Sequence, residues 1–184
     1  MGSCVTGAEM SRPVDYSLYL VTDRSLALGR GMVEVVAAAV QGGVTVVQIR
    51  EKGTGTREFL ALAQALKALL DPSGIPLIVN DRLDLALACD AAGVHLGQED
   101  MPCDIARRLL GPKRLLGVSV SDPEEARRAE AEGADYLGVS PVSIRRPSAT
   151  PPGPPAWAGC GGSAPPRPCP WSPSGVCPRP MRRR

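Results

Sequence analysis

The sequence predicts an α/β fold on a parallel sheet, and three observations carry that reading. Short β-branched runs alternate with stretches of helical period. Those runs are almost continuously apolar, as strands are when helices cover both faces of a sheet. Polar and charged residues collect where the runs end, at the rim on which right-handed crossovers gather the strand C-termini.

Taken in order, the predicted strands are Leu18–Thr22, Val44–Arg50, Pro76–Asn80, Gly93–Leu96, Leu115–Val120 and Tyr136–Val139. The stretch Met32–Gln41 is rich in Ala and Val and reads as the first helix. Thr56–Leu70 puts Phe59, Leu62, Ala63, Leu66, Leu69 and Leu70 on one helical face. Leu83–Cys89 and Cys103–Leu110 fit short helices. Ser121-Asp122-Pro123 opens a helix over Glu124–Glu132 with a capping residue and a proline at its start. Two layouts satisfy this alternation, an open doubly wound sheet and a closed barrel. No G-x-G-x-x-G follows the first strand, which weakens the dinucleotide-binding form of the first.

Composition divides the chain. Its 184 residues suit one domain, and 3% aromatic content makes the core aliphatic. The formal charge of +2 conceals a split: from Ser143 onward there are seven arginines and no acidic residue, and twelve of the 19 prolines. The portion before Ser143 carries 14 basic and 19 acidic side chains, a formal −5. Residues 143–184 therefore read as a disordered Pro/Gly/Arg-rich tail, residues 1–14 as a flexible extension, and residues 15–142 as the folded domain. No apolar run reaches membrane-spanning length and no secretory leader opens the chain, so no membrane is expected. The six cysteines show neither disulfide nor zinc spacing, and a reducing cytoplasm is the expected compartment.

The rim residues carry the chemistry. Gln48, Arg50 and Lys52 alternate at a period of two and point the same way on a strand. Two cations meeting Ser119 suit an anion with several oxygens, such as a diphosphate. Pairing of Arg50 and Lys52 with Glu51 or Asp81 is the plainer alternative. Asp81 and Asp100 follow different strands, and two carboxylates facing phosphate oxygens suit Mg²⁺. The alternatives are a helix cap before Cys103 for Asp100 and a salt bridge to Arg82 or Arg50 for Asp81. His95, the single histidine, is expected to be structural, its ring hydrogen-bonded inside the sheet. Asp23-Arg24 reads as a structural ion pair.

In order along the chain, Leu20-Val21-Thr22-Asp23-Arg24, Gln48-Ile49-Arg50-Glu51-Lys52, Asn80-Asp81-Arg82, His95-Leu96-Gly97-Gln98-Glu99-Asp100-Met101-Pro102, Gly117-Val118-Ser119 and Ala134-Asp135-Tyr136-Leu137-Gly138-Val139 resemble the thiamine phosphate synthase family. The match runs from about Tyr16 to Val142. Related tautomerases of a thiazole phosphate share the fold but generally do not keep the Gln-x-Arg-x-Lys and Asn-Asp set together.

The resemblance implies a TIM (β/α)8 barrel with about six of eight βα units present. It implies that Gln48 contacts a pyrimidine, that Arg50, Lys52, Asn80 and Ser119 hold a diphosphate, and that Asp81 and Asp100 bind Mg²⁺. The implied partners are two small molecules, 4-amino-2-methyl-5-hydroxymethylpyrimidine diphosphate and a carboxylated thiazole phosphate. Nucleic acid is not an expected partner. No residue is assigned as a catalytic acid or base, because diphosphate departure needs charge stabilisation rather than a strong base.

After Val142 the family continues with a Thr-x-Thr-Lys loop, where this chain reads Ser143-Ile144-Arg145-Arg146-Pro147-Ser148. Strands seven and eight and the thiazole phosphate pocket have no counterpart, so two unpaired sheet edges are expected, at Leu18–Thr22 and Tyr136–Val139. Pro, Arg, Gly and Ala are the residues of CCN, CGN, GGN and GCN codons, and a GC-rich gene read out of frame produces such a tail. A genuine basic appendage that binds anionic partners is the competing reading; it leaves the missing strands unexplained. A non-catalytic fragment is the functional alternative.

Overall fold

The computed structural model describes residues 13–139 and the backbone of 176–177. The extension at 1–12 and the remainder of the tail lie outside the described residues.

Six short strands run parallel in strict chain order: β1 Tyr19–Val21, β2 Val46–Ile49, β3 Leu77–Asn80, β4 Gly93–Leu96, β5 Leu115–Val120 and β6 Tyr136–Val139. A doubly wound sheet reverses its strand order at a switch point. No reversal occurs here, which resolves the two sequence-compatible layouts in favour of a partial barrel. Its curl is evident from one contact: the Tyr19 and Tyr136 hydroxyls, on the first and sixth strands, lie 2.8 Å apart. The β6 edge, expected to be open, meets a two-residue antiparallel strand, β7 Val176–Cys177, with Leu137 opposite Cys177 and Gly138 opposite Val176.

Five α-helices connect the parallel strands: α1 Met32–Gln41, α2 Thr56–Leu70, α3 Leu83–Ala88, α4 Cys103–Leu110 and α5 Pro123–Ala131. In α2, Phe59, Ala63, Leu66 and Leu70 are buried, and Leu62 and Leu69 are half-buried against the same core. Helix α5 starts where the sequence predicts: Asp122 accepts hydrogen bonds from the backbone N–H of Glu124 and of Glu125, both at 2.8 Å. Alternation along the strands separates two packed layers. Val47, Ile49, Val79, Val94, Leu116 and Val118 join the helix-side core. Val46 and Ile78, on alternate positions, are equally buried but stand apart from that cluster, inside the curl.

Strands β4, β5 and β6 have the predicted bounds, whereas β1, β2 and β3 are shorter than the predicted runs, because a ladder forms only where a partner is in register. Flanking residues still bond: Thr22 N–H donates to the Gln48 carbonyl at 2.9 Å, and Thr45 N–H to that of Leu18 at 2.9 Å. No helix among the described residues is long and apolar enough to cross a membrane.

Candidate active site

The strand ends bring the sequence-predicted residues to one rim. Gln48 is buried at the C-terminal part of β2, and its side-chain Nε2 donates to the Tyr19 hydroxyl at 2.8 Å. Two residues on, Arg50 leaves the strand. Its backbone N–H donates to the hydroxyl of buried Thr22 at 3.0 Å, and its guanidinium lies 3.5 Å from Asp23. Lys52 is exposed.

Neither cation pairs with Glu51. That carboxylate turns to the other side, where one oxygen accepts from Arg24 and from Thr54, each at 2.9 Å. Its other oxygen, Oε1, is buried without a partner. Asp23 and Arg24 do not pair with each other, contrary to the sequence expectation. Asp23 caps the following 3-10 turn through Ser25 N–H at 2.8 Å and faces Arg50, while Arg24 bridges to Glu51 and Glu58.

Asn80 ends β3, with its Cα opposite that of His95. The chain then turns at Asp81, whose φ of 61° is left-handed, a conformation aspartate tolerates better than most residues. The turn is pinned by Asp81 N–H donating to the His95 carbonyl at 2.9 Å. Desolvation pushes the Asp81 carboxyl up to about 6, reinforced by hydrogen bonding and repulsion from Asp100, while Arg50 and Lys52 pull it down. Three charged groups, Asp100, Arg50 and Lys52, therefore act on Asp81. Arg82 takes no part in this; it forms an ion pair with Asp84 at 2.6 Å.

Asp100 does not cap α4, where Pro102 occupies the N-cap without a side-chain bond. It closes the β4–α4 turn instead, accepting from Gly97 N–H at 2.6 Å. A cavity of about 360 Å³ adjoins it, lined also by Met101, Glu125, Arg128 and Glu132. The helix-side residues Leu96 and Val118 form part of that lining, so this cavity opens between α4 and α5 rather than inside the curl.

Ser119 on β5 places its hydroxyl 2.9 Å from His95 Nε2. The other ring nitrogen, Nδ1, lies 3.2 Å from the Tyr136 hydroxyl. Burial pushes His95 down to about 4, so the imidazole is neutral at pH 7. The ring is hydrogen-bonded at both nitrogens inside the curl, as the sequence leads one to expect.

Sequence reasoning missed Tyr19 and Tyr136, which join Gln48, His95 and Ser119 in one interior cluster, with Tyr16 stacked on Tyr19 and tilted against Tyr136. One signal was available. The chain has only three tyrosines and one phenylalanine, so tyrosines on the first and last barrel strands are conspicuous.

Among the described residues no group of three or more His, Cys, Asp or Glu side chains is arranged to hold a metal ion. The Asp81–Asp100 pair is nevertheless the kind of site Mg²⁺ takes when phosphate oxygens and water complete its shell.

Comparison with known proteins agrees with the geometry. A family model described as thiamine monophosphate synthase matches residues 18–163, extending past Val142 where the motifs end. A thiamine-phosphate synthase of Syntrophomonas wolfei is 60% identical over 128 residues, covering 70% of this chain and 61% of that protein. One from Albidiferax ferrireducens is 62% identical over 125 residues, covering 68% and 57% respectively. The structure of a thiamine phosphate pyrophosphorylase from Pyrococcus furiosus superposes with a TM-score of 0.65 at 43% identity, covering 70% of this chain and 61% of that one. The chain thus spans about three fifths of the length of the relatives it matches. A sequential half-barrel with these rim residues, and identity at this level across most of the described domain, mean that the chain belongs to the thiamine monophosphate synthase family.

Proposed function

We propose that residues 15–142 are the leaving-group half of a thiamine phosphate synthase, a cytoplasmic transferase that joins the pyrimidine diphosphate to the carboxylated thiazole phosphate with loss of diphosphate and CO₂. The observation that carries this is the convergence of Arg50, Lys52 and the Asp81–Asp100 pair at the ends of strands two to four.

Departure of diphosphate leaves a pyrimidine-methyl cation, which the thiazole nitrogen attacks. Arg50 and Lys52 offset the growing negative charge on the leaving group, and Asn80 and Ser119 donate hydrogen bonds to it. Gln48 orients the pyrimidine through its amide. Asp81 and Asp100 would hold Mg²⁺, which would supply further neutralisation of the leaving diphosphate. No step calls for proton abstraction by a protein base, in keeping with a neutral, buried His95.

The test is formation of thiamine phosphate from both substrates in the presence of Mg²⁺, by this chain and by one whose reading frame is restored after Val142, the restored chain also as Asp81→Asn and Asp100→Asn. Each substitution is expected to cut turnover at least about a hundredfold while leaving the melting temperature within a few degrees, because both sites lie at the rim. Unchanged turnover in either variant at limiting Mg²⁺ removes that residue from the metal site. A second reading, a non-catalytic fragment, is favoured by the lack of any match to the Thr-x-Thr-Lys loop. It predicts diphosphate binding without product.

A further inference from the structure

Five interior side chains stand in one line: Gln48, Tyr19, Tyr136, His95 and Ser119. The separations are 2.8 Å from Gln48 Nε2 to the Tyr19 hydroxyl and 2.8 Å between the two tyrosine hydroxyls. They are 3.2 Å from the Tyr136 hydroxyl to His95 Nδ1 and 2.9 Å from His95 Nε2 to the Ser119 hydroxyl. The line crosses the curl from β2 through β1, β6 and β4 to β5. It ends at both extremes on residues to which the proposed function gives a ligand.

We infer that these side chains form a hydrogen-bonded wire of fixed polarity, which holds His95 as its Nε2–H tautomer and leaves the Ser119 hydroxyl hydrogen free for an oxyanion at the rim.

Donor and acceptor bookkeeping sets the direction. The Gln48 amide nitrogen only donates, so the Tyr19 oxygen accepts. The one hydrogen of Tyr19 then goes to Tyr136, and that of Tyr136 to His95 Nδ1. With Nδ1 accepting, a neutral ring carries its hydrogen on Nε2 and donates to Ser119. Ser119 has spent its oxygen on the ring and keeps its hydrogen. The reverse order needs Tyr19 to donate to Gln48 Oε1, but the structure turns Nε2 to Tyr19. An unmade bond in so buried a line costs about 1 to 3 kcal/mol, which favours the order that satisfies every donor from Gln48 to His95 and leaves only the half-buried Ser119 hydroxyl hydrogen over.

The backbone is cut to fit this line. A Cβ on Gly117 would lie 2.1 Å from Tyr136 Cζ and 2.5 Å from His95 Nδ1, and one on Gly138 would lie 3.1 Å from His95 Cε1. Both strands leave room for the tyrosine and the imidazole. Tyr19, Tyr136 and His95 are thus positioning residues acting on Gln48 and Ser119.

Because the chain has one histidine, ¹⁵N NMR of the imidazole in the full 184-residue chain reads the wire directly. The expected spectrum is a single neutral Nε2–H tautomer whose proton exchanges slowly with solvent. Tyr136→Phe removes the donor to Nδ1 and should release the ring to average between tautomers. Tyr19→Phe keeps that donor and should not. A protonated Nδ1, or averaging in the unsubstituted chain whether folded or not, overturns the inference.

The role of Ser119 rests on the proposed function and is tested separately with inorganic diphosphate. Ser119→Ala should weaken its binding about tenfold, with Ser119→Thr restoring it. A fixed Nε2–H tautomer with unaltered binding in Ser119→Ala overturns the oxyanion assignment. A fixed tautomer with no diphosphate binding by any form supports the wire and refutes the proposed function.

Discussion

At the scale of single residues, burial decides protonation. His95 is held neutral, its pKa pushed down to about 4 from an ordinary 6.5. Between those values the unfolded chain binds the proton that the folded chain refuses. Stability from this group is therefore complete above pH 6.5 and falls as the pH drops toward 4, by up to on the order of 3 kcal/mol. Asp81 runs the other way. Its raised pKa makes the folded chain the better proton binder between 3.8 and about 6, so its contribution falls as the pH rises through that window. Comparison of the unsubstituted chain with His95→Asn cancels the aspartate. Urea denaturation at pH 7 and pH 5 should give a smaller drop for His95→Asn, and an equal drop rejects burial of the imidazole as the cause. The variant should also melt lower, and in a frame-restored chain the pH profile of turnover should keep its shape. The placement of Gln48, Arg50, Asp81 and Ser119 was legible in the sequence because strand ends in a parallel fold share a rim. Tyr19 and Tyr136 were not, because their partner lies 117 residues away and no local period encodes it.

At the scale of elements, one arginine ties α4 to the turns before β5 and β6. Arg107 on α4 donates to the carbonyls of Gly133 at 2.9 Å, Gly111 at 2.7 Å and Arg114 at 2.9 Å, and bridges to Asp135 at 2.6 Å. The same Asp135 oxygen accepts from the Leu116 backbone at 2.9 Å, which fastens the turn before β6 to the start of β5. Arg107→Ala strands those carbonyls and that carboxylate, and should cost about 2 to 4 kcal/mol in urea unfolding. Asp122→Ala removes only the α5 cap and should cost about 1 kcal/mol. A smaller loss for Arg107→Ala than for Asp122→Ala would show that the clamp is not structural. Helix α5 could be read from Ser121-Asp122-Pro123 because a cap is a local signal. Arg107 could not, since among the charges of α4 only the fold distinguishes it from exposed Arg108, which pairs within the helix with Asp104.

At the scale of the whole molecule, protection follows position in the sheet. The central strands β2 to β4 are buried almost throughout, whereas β1 has Val21 exposed and its flank carries Leu18, Leu26 and Leu28 open to solvent. Amide hydrogen exchange should therefore be slowest in β3 and β4 and fastest in β1. Equal protection of β1 and β3 would mean that the first strand has another partner. The fold class was legible from the alternation of runs, but barrel and doubly wound sheet were not separable, because strand order is a property of the sheet and not of any segment. That order has a consequence for how the chain is made. Each parallel strand docks on the one synthesised just before it, so every pairing within the curl is available soon after its second strand leaves the ribosome. The set of contacts that Tyr136 makes with Tyr16, Tyr19 and His95 is the exception. It waits for the sixth strand, and it therefore marks the moment at which a growing ribbon becomes a curved wall with an inside.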